Sequence, residues 1–146
     1  MIVFLNIGSN CGDRRAFIDR AVELLRLELP GVYAVSEAME SEPWGFESPN
    51  RFVNVGVGVR TVREYDPLEL LEITQRVQGE IDDAPHRDDA GGYVDRAIDI
   101  DIIMVDDVRM DTPRLTLPHP RMREREFVML PLMENMRQLG IWFCNL

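Results

Sequence analysis

The chain contains no lysine, and all sixteen of its basic residues are arginine. A Walker A phosphate-binding loop needs a lysine, and so does an enzyme that forms a Schiff base with its substrate. The composition therefore excludes both of these enzyme classes.

Cysteines and long apolar runs are also scarce. The two cysteines, Cys11 and Cys144, lie near opposite ends without the spacing of a metal site, so we expect free thiols rather than a disulfide. No apolar run approaches the roughly 20 residues of a membrane span, and the first residues lack the basic flank and cleavage site of a signal peptide. We expect a cytoplasmic protein that does not enter a membrane.

Positive charge is in the minority, since the net charge is −10. This balance argues against a nucleic-acid binder, whose affinity depends on a basic surface. It leaves a nucleotide ligand open, because several arginines gather in the C-terminal half and arginine binds phosphate through two parallel hydrogen bonds. These are Arg96, Arg114, Arg121, Arg123 and Arg125.

With 146 residues, of which 45% are hydrophobic, the chain is long enough for one domain spanning residues 1–146. Apolar periodicity and helix-capping residues predict strands at 1–8, 32–40, 52–59 and 96–105 and helices at 13–29 and 66–82. Residues 121–136 are predicted to form a short helix that Pro131 breaks, followed by another turn or two and a possible strand at 139–143. The order is β-α-β-β-α-β with a C-terminal appendage, which is typical of an α+β, ferredoxin-like fold.

The strand at 96–105 carries two acids inside a hydrophobic run. Because side chains alternate across a strand, Asp99 and Asp101 share one face, roughly 7 Å apart along the strand, opposite Ile98, Ile100 and Ile102. Two neighbouring carboxylates need metal ions, arginine partners or open water. The pattern is consistent with a site for hard cations or with a strand that has one solvent-exposed face, and the stretch alone leaves both interpretations open.

The strand at 52–59 places four valines on one face and Phe52, Asn54, Gly56 and Gly58 on the other. The glycines allow a flat ligand or another backbone to come close to that face. Residues 41–51 form a loop whose Trp44 and Phe46 could either bind a ligand or fold back onto the core.

Several segments together resemble one family. They are Asn6-Ile7-Gly8-Ser9-Asn10-Cys11-Gly12-Asp13-Arg14, Phe52-Val53-Asn54, Thr74-Gln75, the acidic strand beginning Arg96-Ala97-Ile98-Asp99, and Arg114 to Phe127 with its Leu117-Pro118-His119-Pro120-Arg121 core. The chain resembles the 6-hydroxymethyl-7,8-dihydropterin pyrophosphokinases of folate biosynthesis, from the first strand to about Met136.

This resemblance implies an enzyme that transfers the β,γ-diphosphate of ATP to the hydroxymethyl group of 6-hydroxymethyl-7,8-dihydropterin and releases AMP. It also implies a three-layer αβα scaffold, ATP as co-substrate and two Mg²⁺ ions bound by Asp99 and Asp101. The partners are then small molecules, and we expect a monomer or a weak homodimer.

The same resemblance implies three groups of site residues. Arg96, Asp99, Asp101 and Arg87 are implied as catalytic. ATP is implied to contact Gln75, Gln78, Arg96, Ile102, Arg114, Thr116, His119 and Arg125. The pterin is implied to lie between Phe52 and Phe127, with Asn54 reading its amide-like edge together with Ser41, Pro43, Trp44 and Gly45.

The phosphate-side loop at 83–95 departs from the family pattern. Two arginines that the family carries there are missing or displaced, which leaves Arg87 among several acids, and Gln78 stands where the family usually has a glutamate. The alternative is a homologue that binds pterin or nucleotide without turnover, as a regulatory or partner-binding module. A pure binder has no need of two metal-binding acids, so Asp99 and Asp101 together favour the enzyme.

Overall fold

The computed structural model describes residues 1–43, 48, 50–82 and 95–142. Its strands are β1 (Ile2–Ser9), β2 (Gly31–Val35), β3 (Met39–Ser41), β4 (Phe52–Thr61), β5 (Asp99–Val105), β6 (Met110–Asp111) and β7 (Thr116–Leu117). Its helices are α1 (Arg14–Glu28), α2 (Pro67–Ile81) and α3 (Glu126–Leu139), with a short 3-10 helix at Met122–Glu124.

Local signals in the sequence explain where the first two helices begin. The carboxylate of Asp13 accepts a hydrogen bond from the Ala16 N–H, and that of Asp66 accepts one from the Leu68 N–H. Pro67 follows at the first helical position of α2, where its missing N–H has no intrahelical partner to lose. Both predicted helices are confirmed.

The main sheet is antiparallel, with the strand order β2-β4-β1-β5 and with β3 also paired to β4. One face is covered by α1 and α2, whose apolar side chains pack against the valines of β4 and against Ile98, Ile100 and Ile102. The other face is covered by α3, where Phe4, Ile103 and Met104 meet Val128, Leu132 and Met136. The predicted alternation of β4 and of the acidic strand is confirmed.

The pairing of β1 with β5 contains an irregularity between Phe4 and Leu5, because Phe4 lies opposite Met104 while Leu5 lies opposite Ile102. Ile103 is the additional residue, a β-bulge that brings both Ile103 and Met104 to the α3 side of the sheet. The bulge separates an acid-bearing half of β5 from an apolar half that packs under α3.

The predicted strand at 32–40 is wrong as one element, because it divides into β2 and β3. Ser36 causes the division: its hydroxyl accepts the Gly56 N–H at 2.8 Å and its own N–H donates to the Gly56 carbonyl at 2.9 Å. β2 therefore pairs with the second half of β4, and β3 pairs with its first three residues.

The predicted break at Pro131 and the predicted strand at 139–143 are also wrong. The helix α3 continues to Leu139 and ends at Gly140 in the left-handed conformation, with φ of 66°. Proline removes the N–H that would bond the carbonyl of residue 127, but the side-chain amide of Asn6 donates to the Phe127 carbonyl at 2.8 Å. Residues 143–146 lie outside the described part of the chain.

Gly56 explains how α3 approaches the sheet at Pro131. A Cβ atom built on Gly56 would lie 2.6 Å from the Cβ of Pro131 and 2.7 Å from the Oδ1 of Asn135. Real Cβ atoms do not tolerate such distances, so only glycine fits at this position. The sequence left open whether a flat ligand or another backbone comes close to the glycine face of β4. At Gly56 it is another backbone, that of α3.

Candidate active site

A cleft of about 430 Å³ opens at the end of the sheet where β1 finishes and where β4 and β5 begin. The first turn of α3 and the segment after β7 form its other walls. Its lining combines acids, bases and aromatic rings: Gly8, Ser41, Glu42, Phe52, Asn54, Arg96, Asp99, Asp101, His119, Pro120, Arg121, Arg125 and Phe127.

Two of the acids that line the cleft, Asp99 and Asp101, are next to each other on the α3 face of β5. A nitrogen of the Arg96 guanidinium lies 3.2 Å from a carboxylate oxygen of Asp99. Burial, followed by the charge of Asp99, raises the pKa of Asp101 to about 7, although Arg96 and Arg125 oppose the shift. The pair therefore carries less negative charge near neutral pH than two solvated carboxylates would, and a cation placed beside it would restore the full charge.

The basic residues of the cleft come from the segments on either side of the acidic strand and from the start of α3. Arg96 precedes β5, while His119, Arg121 and Arg125 follow β7. The backbone N–H of His119 donates to the Ile103 carbonyl at 2.8 Å, and its Nδ1 accepts the Arg121 N–H at 3.3 Å. Burial and the nearby charges of Arg125 and Arg121 lower the pKa of His119, while Asp99 opposes them. His119 is thus neutral at neutral pH.

The aromatic rings of the cleft are Phe52 on β4 and Phe127 in the first turn of α3. The Arg96 guanidinium carbon lies 5.8 Å from the centre of the Phe52 ring, and that of Arg125 lies 5.7 Å from the centre of the Phe127 ring. Each ring therefore has an arginine at cation–π distance. This geometry connects the aromatic part of the cleft to its basic part.

Asn54 lies two residues after Phe52 on β4, also lines the cleft and is only 2% exposed. Its amide nitrogen donates to the Ser41 hydroxyl at 2.8 Å and to the Met39 carbonyl at 3.2 Å. A Cβ on Gly8 would meet the Asn54 Oδ1 at 3.2 Å and the Phe52 ring at 3.3 Å. Asn54 is thereby held in one orientation beside the position where β1 has no side chain.

Polar side chains from two other elements hold the segment that carries Arg96 and the acids. Asn10 makes two hydrogen bonds to the backbone of Arg96. Its side-chain Oδ1 accepts the Arg96 N–H at 2.7 Å, and its backbone N–H donates to the Arg96 carbonyl at 3.1 Å. From the end of α2, Asp82 accepts the Ala97 N–H at 3.1 Å and the Gln78 Oε1 accepts the Ile100 N–H at 2.8 Å. The approach to β5 is therefore fixed from both sides.

Asp95 extends this arrangement to the loop before β4. The Asn10 side chain donates to one of its carboxylate oxygens at 2.7 Å, and the Asn50 side chain donates to the other at 2.6 Å. Burial opposes ionisation of Asp95, but the hydrogen bonds from Ser48, Asn50 and Asn10 outweigh it and keep its pKa below the usual value. The segments before β4 and before β5 are thus joined through one carboxylate.

Nine of the residues predicted for the site line the cleft together: Ser41, Phe52, Asn54, Arg96, Asp99, Asp101, His119, Arg125 and Phe127. Three others, Trp44, Gly45 and Arg87, lie outside the described residues.

The remaining predicted residues do not line the cleft: Gln75, Gln78, Ile102, Arg114, Thr116 and Pro43. Gln75 and Arg114 are exposed, and the Thr116 hydroxyl contacts the Asp111 carboxylate at 3.4 Å. The side chain of Ile102 is buried in the core between the sheet and α1 and α2, so any contact with ATP would use its backbone. The roles of the first five in ATP binding and of Pro43 in pterin binding stay predictions.

Four residues that line the cleft were absent from the three predicted groups of site residues: Gly8, Glu42, Pro120 and Arg121, the last of which was predicted only as one of several arginines that could bind phosphate. Three of them had a signal, since Gly8, Pro120 and Arg121 lie inside the segments that carried the family resemblance. Glu42 had none, because an exposed acid in a polar loop is ordinary in any protein.

No group of three or more His, Cys, Asp or Glu side chains that could hold a metal ion is found within residues 1–43, 48, 50–82 and 95–142. Asp99 and Asp101 would therefore supply two carboxylates, and a cation there would need further oxygen ligands from elsewhere.

No helix in the described part of the chain is long and apolar enough to cross a membrane.

Comparisons with known proteins agree with this chemistry. The sequence model of the 7,8-dihydro-6-hydroxymethylpterin-pyrophosphokinase family matches residues 4–137. A 2-amino-4-hydroxy-6-hydroxymethyldihydropteridine pyrophosphokinase of Porphyromonas gingivalis is 41% identical over 132 residues, which cover 90% of this chain and 88% of that one. Its counterpart in Bacillus subtilis is 36% identical over 139 residues, covering 94% and 80%.

Among solved structures, an HPPK-DHPS in complex with substrates is similar with a TM-score of 0.52 at 16% identity. The similarity covers 88% of this chain and 39% of that longer chain. At this identity the likeness concerns the fold.

Proposed function

This chain belongs to the 7,8-dihydro-6-hydroxymethylpterin-pyrophosphokinase family, and from that premise we propose how its own residues divide the work of the reaction. The enzyme transfers the β,γ-diphosphate of ATP to 6-hydroxymethyl-7,8-dihydropterin and releases AMP, a step of folate biosynthesis. The observation that carries the proposed assignment is one cleft that brings together Asp99 and Asp101, several basic residues and two aromatic rings.

Asp99 and Asp101 are the proposed metal ligands, holding two Mg²⁺ ions. The fit rests on their chemistry: both donors are carboxylates, the described residues that line the cleft include neither a cysteine nor a pair of histidines, and hard cations prefer such oxygen ligands. The raised pKa of Asp101 supports this, because burial and the neighbouring charge of Asp99 both disfavour its ionised form, which a cation beside the pair would favour. When bound, Mg²⁺ supplies neutralisation of charge on the phosphate chain.

The arginines of the cleft are proposed to hold the triphosphate. Arg96 and Arg125 both line the cleft and are both half-buried, so their hydrogen bonds to phosphate would be only weakly screened by solvent. Arg121 adds a third cation at the exposed rim. His119, neutral at neutral pH, can donate one hydrogen bond to a phosphate oxygen without adding charge.

Phe52 and Phe127 are proposed to stack on the two faces of the pterin, with Asn54 and Ser41 at its polar edge. The Asn54 amide nitrogen already donates to Ser41 and Met39, so its carbonyl oxygen is the group that remains to accept from the pterin. The edge then meets a fixed acceptor, and the fixed orientation costs no entropy when the substrate binds. Pro43, Trp44 and Gly45 keep their proposed part through the family resemblance, as does Arg87 in catalysis.

We also propose that residues 1–146 act as one domain with a ferredoxin-like, three-layer αβα scaffold. The antiparallel strand order and the placement of α1 and α2 opposite α3 support this description. The proposed state is a cytoplasmic monomer or weak homodimer, which acts on small molecules without nucleic acid or membrane partners.

The assignment is tested by measuring AMP release from ATP with and without 6-hydroxymethyl-7,8-dihydropterin, at saturating Mg²⁺. Wild type should release AMP only when the pterin is present. Asp101→Ala should abolish turnover and keep the fold, whereas Asp107→Ala, which removes the same charge from the exposed turn after β5, should leave turnover unchanged. Wild-type activity in Asp101→Ala would show that the metal assignment is wrong. Pterin binding without AMP release in the wild type would favour the non-catalytic homologue.

A further inference from the structure

Asn6 is a buried polar residue in the middle of β1, and only 5% of it is exposed. It lies opposite Asp101 on one side and opposite Gly56 on the other. Its side chain extends toward α3, where its amide nitrogen donates to the Phe127 carbonyl at 2.8 Å. It is therefore a direct link between the sheet beneath the acid pair and the first turn of α3.

The carbonyl that Asn6 bonds is the one that Pro131 leaves without its helical donor. In an α-helix the carbonyl of residue 127 accepts the N–H of residue 131, and proline has none. Pro131 itself rests on Gly56, the neighbour of Asn6 across the strands. Asn6 and Gly56, which are paired across β1 and β4, therefore both contact the same turn of α3. Asn6 does so through a hydrogen bond, and Gly56 allows the close approach because it has no side chain.

We propose that Asn6 is a positioning residue that fixes the Phe127 ring for the pterin. Phe127 is the second residue of α3, and the first turn of a helix is where backbone partners are missing and fraying begins. A hydrogen bond to its carbonyl restrains that backbone, and the ring follows because its Cβ is bonded to the Cα next to that carbonyl. The inference rests on the proposed stacking of the pterin on Phe127.

Three proteins test it beside the wild type: Asn6→Ala, Pro131→Ala and the double variant. Asn6→Ala removes the donor. Pro131→Ala introduces an N–H at residue 131 that can donate to the Phe127 carbonyl within the helix, so the double variant should recover what Asn6→Ala loses. Asn135→Ala is the matched control, since the Asn135 amide also joins α3 to the sheet, through the carbonyls of Ala34 and Gly56, far from the rings.

Two dissociation constants are measured by calorimetry with Mg²⁺ present. The first is that of an ATP analogue with a methylene bridge between the α and β phosphorus atoms. The second is that of 6-hydroxymethyl-7,8-dihydropterin, measured with the analogue bound. Loss of one buried hydrogen bond should raise the pterin constant of Asn6→Ala roughly tenfold, with that of the analogue changed less than about twofold. The double variant should bind pterin within about twofold of Pro131→Ala. Asn135→Ala should lower the thermal midpoint and leave both constants unchanged.

Amide hydrogen exchange in the first turn of α3 is measured on the same proteins without ligand. It should be faster in Asn6→Ala and return to the slower rate in the double variant. An unchanged pterin constant in Asn6→Ala, equal weakening of both ligands, or no recovery in the double variant would overturn the inference. If the wild type binds no pterin, the stacking proposal fails, and unchanged exchange in Asn6→Ala would overturn the anchoring role separately.

Discussion

Replacing Asp101 with asparagine should stabilise the metal-free protein, and the gain should grow with pH. The folded state raises the Asp101 pKa from 3.8 to about 7, through burial first and the charge of Asp99 second. Between these two values the folded carboxyl keeps a proton that the unfolded chain has lost. The free energy of unfolding of the wild type must therefore fall as the pH rises through this window.

The size of the effect follows from the same shift. The two pKa values differ by about three units, and each unit corresponds to about 1.4 kcal/mol, which gives a stability loss of roughly 4 kcal/mol between pH 4 and pH 8. The loss is absent below the unfolded pKa and complete above the folded one. Asparagine has nearly the same shape and no charge, so the variant should not suffer this loss.

The assay is urea denaturation of wild type and Asp101→Asn at several pH values in the presence of a chelator. Asp107→Asn, in the exposed turn after β5, controls for the change in net charge. The difference between Asp101→Asn and wild type should widen by several kcal/mol from pH 4 to pH 8. A difference independent of pH would refute the reasoning, because it would mean that the Asp101 carboxylate is solvated in the folded protein.

Three further predictions concern other parts of the chain. Gly56→Ala should cost about 1–3 kcal/mol in the free energy of unfolding measured in urea, because its Cβ would lie 2.6 Å from that of Pro131. Asn54→Leu should weaken pterin binding in calorimetry by about 1–3 kcal/mol for each pterin group left unpaired. In single-turnover kinetics, Arg87→Ala should slow the chemical step well beyond any effect on pterin binding, whereas Asp83→Arg should accelerate it because a cation there can approach the phosphates.

Each of these predictions has an outcome that contradicts it. Gly79→Ala is the control for the first, because a Cβ there meets no atom within 4 Å and alanine favours the helix by up to about 1 kcal/mol. Equal stability of Gly56→Ala and wild type would mean that α3 lies farther from the sheet. Unchanged pterin affinity in Asn54→Leu would place the ring elsewhere. Equal single-turnover rates in wild type and both loop variants would leave catalysis to Arg96 and Arg125.

The sequence by itself determined the elements whose causes are local. Alternation along two strands separated the valines of β4, and Ile100 and Ile102 of β5, from the residues on the cleft side. The caps Asp13 and Asp66 marked the helix starts, since a side chain that bonds an N–H two or three residues later leaves its signal within one turn. The family motifs brought together the acids, arginines and aromatic rings that line one cleft.

The tertiary structure decided what depends on partners distant in the sequence. Pro131 does not break α3, because the donor that replaces its missing N–H comes from Asn6, 121 positions away from the carbonyl it bonds. The bulge at Ile103 exists only in the pairing of β5 with β1, and no periodicity of either strand alone indicates it. Gln78 bonds the Ile100 N–H for the same kind of reason, since a hydrogen bond forms between groups that packing brings together, whatever their separation along the chain.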